Sequence, residues 1–228
     1  MLRALPILLI IAFALLQWRF SARRTKRELD ATSTPLDDPT LEAVTKRLGR
    51  AVDLPHLRAN VVQMDAFNGL AAPDGRIFIT SGVVDRYRRG EISADEVGSI
   101  IAHELGHVAL GHSKRRMMDW TGQNAARVAL SMVLNRFIPG VGVWIANMLI
   151  SLLAARLSRR DEFEADAYAA ALMRRARVDP AAQTSLLRKL EKMNPGQGGA
   201  AWLMSHPAIK QRVNAIDTLH EDWNRTAS

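Results

Sequence analysis

The sequence predicts an α+β fold, mainly helical, with a small β-sheet beside one central helix. Three observations carry this. Apolar residues recur at helical spacing, as in Leu41, Val44, Leu48 and Val52, and again in Val97, Ile100, Ile101, Leu105 and Val108. Only two short stretches, 60–65 and 76–80, read as strands, and a Gly/Pro/Asp-rich turn region joins them. The best-framed helix, from Ser93 to about His112, carries three of the six histidines.

The chain has 228 residues, 48% of them hydrophobic and 24% charged, enough for one domain with a sizeable core. It has no Cys, which excludes disulfides and thiolate metal ligands. The net charge of +8 favours an anionic partner, nucleic acid or membrane.

Residues 1–18 are almost wholly apolar, with Leu5 to Leu16 uninterrupted by charge. That core is short for a span and fits a signal peptide, whereas Arg3 and Trp18 at the interfaces would stretch it to a marginal anchor. Arg19, Arg23, Arg24, Lys26 and Arg27 follow it, and cleavable signals carry their charge before the core. An uncleaved membrane anchor is favoured, and the positive-inside rule places the main domain in the cytoplasm; export is the alternative. Residues 19–37 form a basic, polar linker, with Thr, Ser, Pro and Asp between Ala31 and Pro39. The domain proper is 38–228.

Asp38 and Pro39 open a helix to about Val52. The strand at 76–80 is either an ordinary buried strand or an edge that takes up an extended peptide. Ser81 to Arg89 reads as a short helix stopped by Gly90. In the next helix Ser93 and Glu96 form a capping box, Asp95 and Glu96 put negative charge at its start, and Lys114, Arg115 and Arg116 put positive charge past its end.

That helix contains His103, Glu104 and His107, an H-E-x-x-H motif. Histidines four apart share one helix face and can bind one zinc ion, and the glutamate at the edge of that face can reach a water held by the metal. A histidine pair buried in a core helix is the alternative. A zinc site needs a third ligand. His112 lies well over a right angle round the helix from the metal face and reads as a helix-end histidine. Glu162 and Asp166, four apart, fit better: the first can complete a two-histidine, one-carboxylate site, and the second can accept the ring N–H of a ligand histidine. The alternative is a solvated acidic turn balancing the arginines before it.

Thr121 to Leu157 turns apolar again, with helices over 124–137 and from Val141 onward, broken at Pro139-Gly140. The second runs on through Glu162 as one long helix. Residues 128–157 are either a hairpin dipping into a membrane, with Arg156, Arg159 and Arg160 at headgroups, or a pair of core helices. An amphipathic helix over 181–193, a Gly-rich loop over 194–200 and a last helix from Pro207 to about Asp222 complete the chain. His206 at the entry to that last helix is either a local helix-entry histidine or a group reaching the open position of the metal. The tryptophans are too scattered for a nucleic-acid stacking platform, so no nucleic-acid partner is expected.

His103-Glu104-x-x-His107, then S-R-x-x-E-x-x-A-D from Ser158 to Asp166, then Ser205-His206-Pro207 with Arg212, resembles the membrane-associated zinc endopeptidases of the CAAX prenyl protease, HtpX and Oma type. Phe67 to Ile79 also resembles the strand entry of that family, departing at Gly69 and Asp74. The resemblance implies a zincin-like metalloprotease domain. It implies one zinc per chain on His103, His107 and Glu162, with Glu104 as the base and Asp166 orienting a ligand histidine. It assigns His206 a catalytic or inhibitory place at the metal and makes polypeptides, misfolded or membrane-associated, the substrates. A non-proteolytic membrane-surface chaperone or adaptor on the same scaffold is the alternative.

Overall fold

Asp38 accepts the backbone N–H groups of Thr40 and Leu41 and so starts helix α1, Pro39–Ala51, with proline in its first turn. The computed structural model describes residues 27–72, 74–112, 126–128, 130–139, 141–193, 206 and 208–226. The expected anchor at 1–18, the basic run 114–116, the Gly-rich loop 194–200, and Ser205 and Pro207 lie outside the described residues.

The sheet has four strands rather than two. They are β1 (Ser33–Pro35), β2 (Ala59–Val62), β3 (Gly69–Ala71) and β4 (Ile77–Thr80), in the order β1-β2-β4-β3. β1 and β3 are antiparallel to their neighbours, and β2 and β4 are parallel, with Val61 opposite Ile79. Two expectations change here. The stretch read as linker contributes β1, together with a helical turn over 27–32 that buries Leu29. The turn region contributes β3, so 76–80 is not an edge: β4 is flanked on both sides, and β3 is the edge. Three-residue strands show no alternation, so their backbone pairing leaves no mark in the pattern.

Helices α2 (Ser81–Arg88), α3 (Ala94–Ala109), α4 (Gly142–Arg175), α5 (Ala181–Lys192) and α6 (Ile209–Thr226) follow. Gly90, at φ +74°, ends the turn after α2, as expected. The capping box of α3 is present, with Ser93 accepting from the Glu96 N–H and Glu96 accepting from the Ser93 N–H. Every residue of α3 from Glu96 to His107 is buried. Such a helix is central, with neighbours all round. It packs on β3 and β4, on α1, on α4 and on α5. Ile77, Ile79, Val97, Ile101, Met173, Leu190 and Ile216 meet in the resulting core, each 0% exposed.

One contact sets the position of α4. A Cβ on Gly106 would lie 3.0 Å from the Ala165 carbonyl oxygen and 3.1 Å from its Cα. The two helices therefore touch backbone to backbone, one turn from His103 and beside Glu162. α4 is one unbroken helix of 34 residues, as expected. Its first half and the helical residues before it carry exposed Met132, Phe137, Trp144 and Leu152, between 60% and 76% exposed. These side chains are uncovered, whereas Ala146 and Ile150 of the same stretch are buried. Among the described residues no helix is long and apolar enough to cross a membrane.

Candidate metal centre

α3 presents His103 and His107 toward Glu162 of α4 and Glu104 toward β3 and His206, and all three are buried. The Nε2 atoms of His103 and His107 are 3.1 Å apart. α4 brings Glu162 to them: one carboxylate oxygen is 3.3 Å from His103 Nε2 and the other 3.5 Å from His107 Nε2. His206, ahead of α6, places Nδ1 2.7 Å from Glu162 Oε2 and 3.3 Å from His103 Nε2. Ligand atoms of these four residues lie within 4.8 Å of one another. The carboxylate about sixty positions downstream does fold back onto the two imidazoles.

The fit to a metal can be tested on spacing and protons. Zinc bonds of about 2.0–2.1 Å in a tetrahedron put neighbouring ligand atoms about 3.3 Å apart, the spacing seen here. His103 Nδ1–H donates to Asp166 Oδ1 at 3.0 Å, which leaves Nε2 as the nitrogen turned toward His107 and Glu162 and available to a metal once its own proton is displaced. Two imidazole nitrogens and a carboxylate are a borderline-hard donor set with no thiolate, matching zinc and its neighbours in the first transition row.

Asp166 is itself held. Arg212 donates from Nε to Oδ2 at 2.6 Å and from Nη2 to Oδ1 at 2.8 Å, a two-pronged pair, and Gln183 Nε2 donates to Oδ1 at 3.2 Å. Burial pushes the Asp166 carboxyl up, but Arg212 and His103 outweigh it and bring its pKa to about 2. Burial also works against charge on His103, yet its bonds to Asp166 and Glu162 carry its pKa up to about 9 in the metal-free chain. Burial opposes the Glu162 carboxylate too, and the three imidazoles around it hold it well below the usual carboxylate range. Burial takes His206 down to about 4 against the pull of Glu162, with charged His103 acting the same way as burial.

A family model, peptidase family M48, matches residues 35–220. The chain belongs to peptidase family M48. It is 30% identical over 176 residues to the metalloprotease LoiP of Escherichia coli (strain K12), covering 77% of this chain and 68% of that one. It is 23% identical over 227 residues to a protease HtpX homolog of Verminephrobacter eiseniae, covering 86% and 76%. It is 27% identical over 183 residues to the metalloprotease YcaL of Escherichia coli (strain K12), covering 77% and 67%. The M48 chain is thus a metalloprotease, a hydrolase with a mainly helical α+β domain, and its buried histidine-rich group can hold the metal.

Of the residues picked out in the sequence, His103, His107, Glu162, Asp166 and His206 come together in the fold, and Glu104 lies beside His206. His112 stands just past the end of α3 and outside the metal group, as expected, but its burial against His107 was not foreseen. A rotation of position 112 away from His107 holds only for a continuing helix; α3 closes at Leu110, and Gly111, at φ +67°, turns the chain back. His112 is 0% exposed, with Nδ1 2.8 Å from His107 Nδ1. Gly111, two residues past the last helical residue, was the available signal. His220 packs instead against Trp223, with ring centroids 5.7 Å apart, and His56 is exposed.

Proposed function

We propose that this chain is a zinc-dependent endopeptidase with His103, His107 and Glu162 as the metal ligands. The convergence of their donor atoms at zinc-like spacing is the observation that carries the reading. When bound, zinc would polarise a peptide carbonyl and bring the pKa of a water toward neutrality. Glu104 acts as the base: it takes the proton of the attacking water and delivers it to the leaving amine. It is 3% exposed, which keeps its carboxylate away from competing solvent. Asp166, pinned by Arg212, fixes the His103 tautomer. His206 lies against the same cluster, with Nε2 3.6 Å from Glu104 Oε1; once Glu162 is taken up by the metal, the ring N–H that now meets Glu162 would be released to steady the oxyanion that forms as the carbonyl is attacked.

The substrate backbone docks along β3. That strand is an edge, and it sits against α3: a Cβ at Gly69 would lie 2.5 Å from Ile100 Cγ2 and 3.4 Å from Glu104 Cγ. Glycine there lets β3 itself lie against the catalytic glutamate, and main-chain bonds to a strand added along its other edge accept many sequences. Misfolded or membrane-associated polypeptides are the proposed substrates.

The enzyme is proposed to work at a membrane surface, with residues 1–18 as anchor and the domain in the cytoplasm. The support is the exposed apolar side chains of 128–157, with Arg156, Arg159 and Arg160 beside them, and the basic run after residue 18. Fractionation with protease accessibility tests this: a membrane-bound chain cleaved only from the cytoplasmic side is expected, and cleavage from the other side refutes that topology.

For the chemistry, Glu104→Gln is the decisive variant. It is expected to retain fold and stoichiometric zinc while casein cleavage falls by about 10²–10⁴-fold or more. Cleavage at the parent rate overturns the assignment.

A further inference from the structure

The two ligand histidines are supported from different sides of α4. Asp166 backs His103, as described above. His107 is backed by a chain of three other side chains. His107 Nδ1 lies 2.8 Å from His112 Nδ1, and the two rings meet at 68°. His112 Nε2 lies 3.2 Å from Glu164 Oε2 and 4.0 Å from Asp161 Oδ1. Arg160 donates to the other Glu164 oxygen at 2.8 Å. Asp161 is buried, and Glu164 is partly so.

Proton counting fixes what this chain does. Two ring nitrogens 2.8 Å apart must share one proton, one donating and one accepting. If His107 gives its Nε2 lone pair to a metal, its proton sits on Nδ1. Nδ1–H then donates to His112 Nδ1. The proton of His112 is thereby placed on Nε2, where it donates to Glu164. Every proton has one place, and the buried imidazole of His112 has both nitrogens used.

His112, Asp161 and Glu164 also have the makeup of a small cation site. The same count argues against that use. A cation on His112 Nε2 would force the His112 proton onto Nδ1, so His107 would have to accept there. The His107 proton would then sit on Nε2 and block its ligand atom. One metal on His107 and another on His112 exclude each other while both rings are neutral.

We propose that His112, backed by Glu164 and Asp161, is the positioning residue for His107: it selects the Nδ1–H tautomer and aims Nε2 at the metal. Gly111 makes this possible. In a continuing helix, position 112 would stand about 140° round the axis from position 107. The left-handed turn at Gly111 brings the ring back instead. One stretch of α4 thus supplies a ligand, Glu162, and the supports of both histidines.

The inference rests on His107 being a ligand, and the test separates the two claims. Zinc affinity of the full chain is measured by competition with a chromophoric chelator, for the parent, His112→Phe, His112→Gln and His107→Ala. Nitrogen-15 histidine NMR of the zinc-loaded parent reads the tautomers. His112→Phe is expected to weaken zinc binding by about 10–100-fold. His112→Gln should restore most of that loss, since its amide oxygen can accept from His107 and its NH2 group can donate to Glu164. The spectrum should show His107 protonated at Nδ1 and His112 at Nε2. Parent-like affinity in His112→Phe, with His107→Ala strongly weakened, overturns the positioning role and leaves the metal site standing. Parent-like affinity in His107→Ala overturns both. His112 protonated at Nδ1 overturns the positioning role even if the variants fail to fold.

Discussion

Arg212→Met is the sharpest probe of how this site is held together. Arg212 is 1% exposed and gives two charge-assisted hydrogen bonds to Asp166, which is 2% exposed. It also donates to the His206 carbonyl at 3.4 Å and lies 3.5 Å from Glu162. Methionine keeps the apolar stem and removes the charge. The Asp166 carboxylate then stays buried with charged His103 and with Gln183 but without the guanidinium. Breaking one side of a buried pair costs about 3–5 kcal/mol, and the remaining partners of Asp166 put this case at the low end, about 3 kcal/mol. That is a large part of a typical total of about 5–15 kcal/mol. The assay is urea unfolding of the metal-free chain followed by circular dichroism. With a slope near 3 kcal/mol/M, the midpoint should fall by about 1 M. Adding Asp166→Asn removes the carboxylate that has lost its guanidinium and leaves an oxygen for the His103 N–H, so the double variant should recover part of the loss. A midpoint within about 0.2 M of the parent, or a double variant no more stable than Arg212→Met, refutes the reasoning.

The raised pKa of His103 makes the metal-free chain pH-sensitive. Charged His103 contributes stability that is full below pH 6.5 and lost as pH rises through about 9, so the urea midpoint of the metal-free chain should fall across that window. Metal must displace the same proton, so zinc affinity should rise over that range, and a chelator titration at several pH values checks both signs. Glu162→Ala should lower bound zinc, and a full equivalent of metal in that variant would move the third ligand elsewhere. Gly106→Val forces methyl groups into the contact with Ala165; a loss of about 1–3 kcal/mol is expected in unfolding, with weaker zinc binding, and unchanged affinity would mean that the helices can part without moving Glu162.

The helices were legible because their ends are written chemically. Asp38-Pro39, Ser93 with Glu96, and Gly90 all mark boundaries that the fold keeps. The two halves of the metal centre were legible because helical spacing puts His103 with His107 and Glu162 with Asp166 on shared faces. β1 and β3 were not legible, since three residues of backbone pairing need no particular side chains. Whether 128–157 would be covered was also open, because a run of Leu, Val, Met and Trp reads the same whether it faces protein or lipid. In the fold the stretch is mixed, with Trp144 and Leu152 exposed and Ala146 and Ile150 buried. The burial of His112 against His107 was not legible because position 112 swings away from His107 along a continuing helix, and Gly111 turns the chain back instead. Arg212 was noted only as part of a family pattern; that its guanidinium grips Asp166 depends on where α6 crosses α4, which no local pattern encodes.

Between Val143 and Arg175 the long helix contains neither proline nor glycine. The greasy, outward-facing end at Trp144 and the carboxylate at Glu162 therefore belong to one stiff lever, eighteen residues or about 27 Å from load to fulcrum. With no joint to absorb a tilt, whatever grips the far end also leans on Glu162.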